Sequence, residues 1–184
     1  MPYEEFTNMT FEMAKNFLVE LADERIKTVM ADIVGNHTVL DVGCGNGMDA
    51  RRYNSDQYLG LDISENNVKV AKLRNPDHHF INMEAKEYLP LSPHVDYIIC
   101  KSVLEHQTDL EDALKLFNLM LEKCDVLLIG WHMIPGDKTE IITTKGHFGR
   151  DIKQNWYNKK AFEIGVNIKK KRIDNYELWI ITKI

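Results

Sequence analysis

Three glycines spaced G-x-G-x-G, in Gly43-Cys44-Gly45-Asn46-Gly47, constrain this chain more than any other feature. They follow a short apolar run, Thr38 to Val42, and precede a stretch of helical character, Met48 to Tyr53. Glycines at such a junction let the backbone turn sharply and come close to a ligand. The spacing differs from the G-x-G-x-x-G of dinucleotide sites. A second apolar run, Tyr58 to Asp62, ends on an acid 19 residues after Gly43. A carboxylate placed there can accept both hydroxyls of a ribose.

The rest of the sequence supplies a frame for that loop. Apolar residues from Phe11 to Ile33 recur at helical spacing and predict a helix from Thr10 to Val34, stopped by Gly35. Beyond Gly35, short strands alternate with helices. Strands are expected at His79–Ile81, Val95–Cys100 and Asp125–Trp131. Ser64 is placed to cap a helix over Val68, Ala71 and Leu73. Thr108 and Glu111 form a capping-box signature before Leu110, Ala113, Phe117 and Leu121. Asn158 can cap a short helix through Phe162 and Ile164. Two closing strands, Asn167–Ile173 and Tyr176–Ile184, flank the turn residues Asp174-Asn175. Alternation of this kind predicts an α/β fold with a mostly parallel sheet and helices on both faces, and the last pair adds an antiparallel edge.

Composition narrows the class. The 184 residues, 44% hydrophobic and 28% charged, fit one soluble globular domain. No apolar run approaches the roughly 18–20 residues of a membrane helix, and the acidic start MPYEEFTNMTF does not resemble a signal peptide. A cytoplasmic location and no membrane partner are expected. Cys44, Cys100 and Cys124 show no CxxC or zinc spacing and are read as reduced thiols. No His/Asp/Glu cluster has metal spacing, so no metal is expected. The net charge of −5 argues against nucleic acid as the main partner. Residues 151–184 are nonetheless +4, with Lys169-Lys170-Lys171-Arg172 at their centre. Because neighbouring strand residues face opposite sides, this run reads as a solvated edge strand guarding against aggregation rather than as a binding patch.

With the loop, the acid and the strand order taken together, the chain resembles the class I S-adenosylmethionine-dependent methyltransferases of the small-molecule branch. Val39 to Gly47 matches their first motif and Gly60-Leu61-Asp62-Ile63-Ser64 their second. Val95 to Cys100 with Val103-Leu104-Glu105-His106 matches the motif of the fourth strand. The resemblance covers about residues 35–184. It implies a Rossmann-like, doubly wound, seven-stranded sheet with a reversed last strand. It also implies that Gly43, Cys44, Gly45 and Gly47 wrap the methionine part of the cofactor, with Asp41 near its amino group. Asp62 would hold the ribose and Ile63 pack on the adenine. Met83 and Glu84 would lie at the adenine amine, and Cys100 and Lys101 beside the cofactor at the end of the fourth strand. The product would be S-adenosyl-L-homocysteine.

Chemistry beyond the cofactor rests on fewer residues. Methyl transfer needs positioning and, for a weakly acidic acceptor, a base, a role that suits histidine. His132 follows the fifth strand and His106 the fourth, and both are candidates; each could equally brace its loop. Trp131, His147, Trp156 and Tyr157 are candidate walls of an acceptor pocket, with core filling as the alternative for the aromatics. The expected organisation is a single domain: residues 1–34 as a helical cap, 35–131 as the cofactor core, 132–157 as the acceptor segment and 158–184 as the closing helix and hairpin. The expected reaction is methyl transfer to O or N of a small molecule, in a monomer or homodimer. Two alternatives stand beside it: a same-fold enzyme that uses the cofactor for aminopropyl transfer or cleavage, and a non-catalytic cofactor-binding scaffold.

Overall fold

The computed structural model describes residues 8–16, 24–104, 107, 110–132, 163–174 and 176–184. Its centre is a seven-stranded sheet made of β1 (Val39–Val42), β2 (Tyr58–Asp62), β3 (His79–Asn82), β4 (Val95–Lys101), β5 (Cys124–His132), β6 (Val166–Ile173) and β7 (Tyr176–Lys183). The order across the sheet is β3-β2-β1-β4-β5-β7-β6. The first five strands are parallel. β7 is antiparallel to β5 on one side and to β6 on the other. The reversed last strand is therefore an interior strand, and β6 forms the edge.

Helices α1 (Phe11–Asn16), α2 (Glu24–Val34), α3 (Glu65–Arg74), α4 (Ala85–Tyr88) and α5 (Leu110–Glu122), with short 3-10 turns at Ala50–Arg52, Ser55–Gln57 and Leu89–Leu91, complete the described elements. Strand alternation sends neighbouring residues to separate cores. On one face, Ile26, Met30 and Val34 of α2 pack with Val39, Ile99, Leu128 and Leu178. On the other, Ala113, Leu116, Phe117 and Met120 of α5 pack with Val42, Ile98, Cys100, Leu127 and Trp131. The i, i+3, i+4, i+7 spacing on α5 is the amphipathic pattern read from the sequence. Ser64 caps α3 as expected, its hydroxyl accepting from the Asn67 amide at 3.3 Å. No helix among the described residues is long and apolar enough to cross a membrane.

One local expectation changes, one is seen only in part, and one short helix had no expectation. The stretch predicted as one helix from Thr10 to Val34 is described as α1 and α2, with residues 17–23 outside the description. The helix expected after the glycines is only a single 3-10 turn, Ala50–Arg52. Asp49, at its start, makes no side-chain cap. Its carboxylate faces Lys27 of α2 instead, at 3.2 Å. α4, at four residues, is too short to give a period in the sequence.

On β6, Lys169 to Arg172 are all exposed, which is the solvated edge strand expected of that run. Lys170 lies over the Trp179 ring at 4.2 Å, so its stem shields β7 from the side.

Candidate functional site

Strand order reverses between β1 and β4, and ligands of open α/β sheets bind beyond the carboxyl ends of the strands at such a point. The chain brings Asp41, the glycine loop, Asp62 and Lys101 to that end. β1 pairs with β2 and β4 in a register that sets Asp41 opposite Gly60 and Ile99.

Asp41 is buried, and its carboxylate accepts from the Tyr58 hydroxyl at 2.8 Å. Burial pushes its pKa up to about 7; Tyr58 and Lys101 oppose that rise, while Asp49 and Asp62 add to it. The fold therefore favours the protonated acid. Its contribution to stability is fully present below the ordinary carboxylate value of 3.8 and is lost as pH rises through about 7. Asp41→Asn should remove this slope. Denaturation midpoints taken from pH 4 to 8 should show the wild type falling relative to the variant; parallel profiles would show that Asp41 titrates normally.

The loop leaves β1 at Gly43, whose φ of 77° and closeness to Val103 explain the glycine. A Cβ there would lie 2.3 Å from Val103 Cγ2. Its amide and that of Cys44 both donate to the Leu61 carbonyl, at 2.8 and 3.0 Å. Gly45 also has positive φ, 56°, but a Cβ there would meet no described atom within 4 Å. The loop thus turns an open backbone surface outward at Gly45. Its amide donates to Asp62 Oδ2 at 2.9 Å. Gly47 rests on α3, its carbonyl accepting from Asn75 Nδ2 at 2.8 Å.

Asp62 ends β2 and is buried. Besides Gly45, it accepts from the Ser64 amide at 2.8 Å and Asn67 Nδ2 at 3.3 Å through Oδ1. Burial raises its pKa and these three donors lower it. Oδ1 accepts two of the three, so Oδ2 is the oxygen that keeps lone-pair capacity for a further donor. The next turn joins two segments: Met83 N donates to the Asp62 carbonyl at 3.1 Å, and Asn82 Nδ2 to the Ile63 carbonyl at 2.8 Å. Half-buried Ile63 and Met83 thereby come side by side. Glu84 pairs with Lys86 at 3.0 Å, and Lys86 with Asp112 at 3.1 Å.

Two predicted cysteines differ in character. Cys100 is fully buried in the α5-side core. Cys44 is half-buried in the loop, and burial with Asp41 and Asp62 nearby pushes its thiol up, so it stays protonated. Lys101 extends across β5, with its Nζ 5.8 Å from the centre of the Tyr176 ring. The backbone after it inverts: Ser102 has φ 55° and its amide donates to the Gly130 carbonyl at 3.1 Å. A non-glycine residue in that region marks stored backbone strain at the site.

Trp131 fills core, as the alternative reading had it. It is fully buried and meets Trp179 edge-on at 5.4 Å between ring centres. His132 closes β5 in register with Tyr176, and its side chain lies outside the described residues. His106, His147, Trp156 and Tyr157 also lie outside them. Among the described residues, no cluster of His, Cys, Asp and Glu could hold a metal.

Sequence reasoning missed the polar hooks around the loop. Asn46, buried, donates to the Ala14 carbonyl at 2.7 Å and so pins α1 to the glycine loop. Asn66 donates to the Met9 carbonyl at 2.8 Å and Arg74 to that of Lys15 at 2.6 Å. Asn46→Ala should cost about 1–3 kcal/mol, the value of a buried hydrogen bond lost on one side. Proteolysis near residues 8–16 should quicken in that variant; unchanged cleavage and stability would mean α1 is held elsewhere.

The geometry suits an S-adenosyl group. It offers a partly free carboxylate hydrogen-bonded to an open glycine backbone, an apolar pair for a base and a second acid, Asp41, at the end of β1 just before the loop. Comparison with known proteins agrees. The family model described as "Methyltransferase domain" matches residues 40–128. An uncharacterised protein of Rickettsia prowazekii (strain Madrid E) is 28% identical over 109 residues, covering 53% of this chain and 44% of that protein. The tRNA U34 carboxymethyltransferase of Geobacter sp. (strain M21) is 27% identical over 142 residues, covering 73% and 43%. The chain thus spans less than half the length of either relative. Magnesium protoporphyrin IX methyltransferase from Synechocystis PCC 6803, solved with S-adenosylmethionine bound, superposes with a TM-score of 0.66 at 17% identity, covering 98% of this chain and 94% of that one. Residues 40–128 are thus similar to a methyltransferase domain, and the chain has the fold of the magnesium protoporphyrin IX methyltransferase solved with S-adenosylmethionine bound.

Proposed function

We propose that this chain transfers a methyl group from S-adenosylmethionine to an O or N atom of a small-molecule acceptor. The observation that carries the reading is the fastening of Asp62 to the Gly45 amide at the β1/β4 crevice, which couples a ribose-type acid to the loop. When bound, the cofactor supplies an activated methyl group on a sulfonium sulfur. The protein's part is to bind, orient and exclude water. Asp62 would accept from the ribose hydroxyls, Ile63 and Met83 would pack on the base, and Glu84 would lie at its amine. The backbone of Gly43, Cys44, Gly45 and Gly47 would follow the methionine part, flanked by Lys101 and the backbone of Cys100. Asp41 would receive the amino group in its ionised form, so affinity should tighten as pH climbs past about 7.

His132 and His106 are our candidates for the base that takes a proton from the acceptor. His147, Trp156 and Tyr157, in the 132–157 segment, are those for the acceptor walls, with residues 1–34 closing the other side. The test is a methyl-transfer screen over small acceptors, read as S-adenosylhomocysteine formed. Binding without that product over the screen would defeat the reading. His132→Ala with His106→Ala then separates base catalysis from positioning alone: unchanged turnover in both assigns the rate to positioning.

One observation favours a second reading, a same-fold enzyme that modifies RNA with a cofactor of this type: the Geobacter relative is named for tRNA carboxymethylation. Including unmodified tRNA among the acceptors decides between the two.

A further inference from the structure

The 3-10 turn that leaves the glycine loop has no helix behind it, yet it must hold its place beside the cofactor crevice. It is held from two sides. On the α3 side, Asn75 Nδ2 donates to the Gly47 carbonyl, and Arg51 Nε donates to Asn75 Oδ1 at 3.2 Å. On the α2 side, the contact is ionic. Lys27 is fully buried, its ammonium 3.2 Å from Asp49 and 3.6 Å from Glu24. Arg52 pairs with the same Glu24 and donates to Thr28 Oγ1 at 3.2 Å.

A fully buried ammonium is costly to desolvate and persists only where carboxylates offset it. Glu24 is half-exposed and shared with Arg52, whereas the Asp49 side chain is only 20% exposed. Asp49 is therefore the partner that holds Lys27 inside. It also stands in a group of acids. The groups facing Asp41 are Tyr58, Lys101, Asp49, Asp62, Tyr53 and Cys44. Two of these side chains, Asp49 and Asp62, are carboxylates, and Lys101 is the cation among them. Without Lys27, the charge on Asp49 would lose its nearest cation, leaving Lys101 as the cation that opposes it at Asp41.

We infer that Lys27, on a helix outside the glycine motif, is a positioning residue for the cofactor: it tethers Asp49, and through Asp49 holds the turn that follows the glycine loop at the cofactor crevice. This rests on the reading of Asp41 as the partner of the cofactor's amino group.

The test is calorimetric binding of S-adenosylhomocysteine to the full chain from pH 5.5 to 8.5. Wild type, Lys27→Met, Asp49→Asn and the double variant are compared. Lys27→Met should bind about tenfold more weakly at pH 7, the scale of an unpaired charge left near the site, and its pH midpoint should move up. The double variant should bring the midpoint back down and recover part of the affinity, because the uncompensated charge is gone. Asp49→Asn alone should move the midpoint below that of wild type, which keeps the test available if Lys27→Met does not fold. Lowered melting temperature with an unmoved midpoint in all variants would make Lys27 a purely structural residue and overturn the inference. A wild type that binds no S-adenosylhomocysteine would instead overturn the cofactor reading on which it stands.

Discussion

Asp62→Ala is expected to weaken S-adenosylhomocysteine binding by about 1.5–3 kcal/mol, or roughly ten- to a hundredfold. Two losses combine. The first is direct, since the charge-assisted acceptors for the ribose hydroxyls disappear. The second runs through the protein. Gly45 N, Ser64 N and Asn67 Nδ2 lose their shared acceptor, so the loop and the start of α3 lose the point that joins them. Asp62→Asn tests the second. An amide keeps one accepting oxygen but turns its NH2 toward either Gly45 N or Ser64 N, both of which are donors. It should therefore fall nearly as far as alanine. Calorimetric affinities equal to wild type in both variants would remove Asp62 from the site.

Trp131→Ala is expected to cost about 3–5 kcal/mol of folding stability, the range for a large aromatic deleted from a packed core. Trp131 is fully buried and rests edge-on against Trp179, which is itself fully buried on the neighbouring strand. The α5-side core would lose its largest member together with an aromatic pair. Against typical totals of about 5–15 kcal/mol, that is a large share of the stability of a domain. Urea titration measures it. A change below about 1 kcal/mol, combined with a loss of acceptor binding, would return Trp131 to the pocket wall.

The sequence made the strands and the loop legible because both are local signals. Strand β1, three glycines and the acid of β2 follow one another within a short stretch, and each has a backbone reason to be there. Period 3.6 in α5 and the Ser64 cap are local in the same sense. The β6 edge was legible because four adjacent basic residues cannot all face a core. What escaped was long-range polar pairing. Asn46 reaches Ala14, and Lys27 reaches Asp49, across separate elements. A lysine inside an amphipathic pattern gives no hint that its ammonium will be buried. The missing helix after Gly47 escaped for a related reason. Met48 to Tyr53 has acceptable propensity, but Asp49 is engaged by Lys27 instead of capping. The inverted backbone at Ser102 had no signal, because serine is not a residue that favours positive φ. Trp131 was ambiguous because a strand end borders both core and crevice.

The interior position of β7 constrains how the molecule assembles. β6 comes earlier in the chain, yet its sheet partner is β7 and none of the parallel strands. It has no edge to join until β7 has bridged it to β5. β6 therefore joins the sheet only with β7 or after it. Trp179, carried in on β7 and buried against Trp131, becomes a natural fluorescent reporter of the docking step. Its signal should lag behind that of secondary structure during refolding.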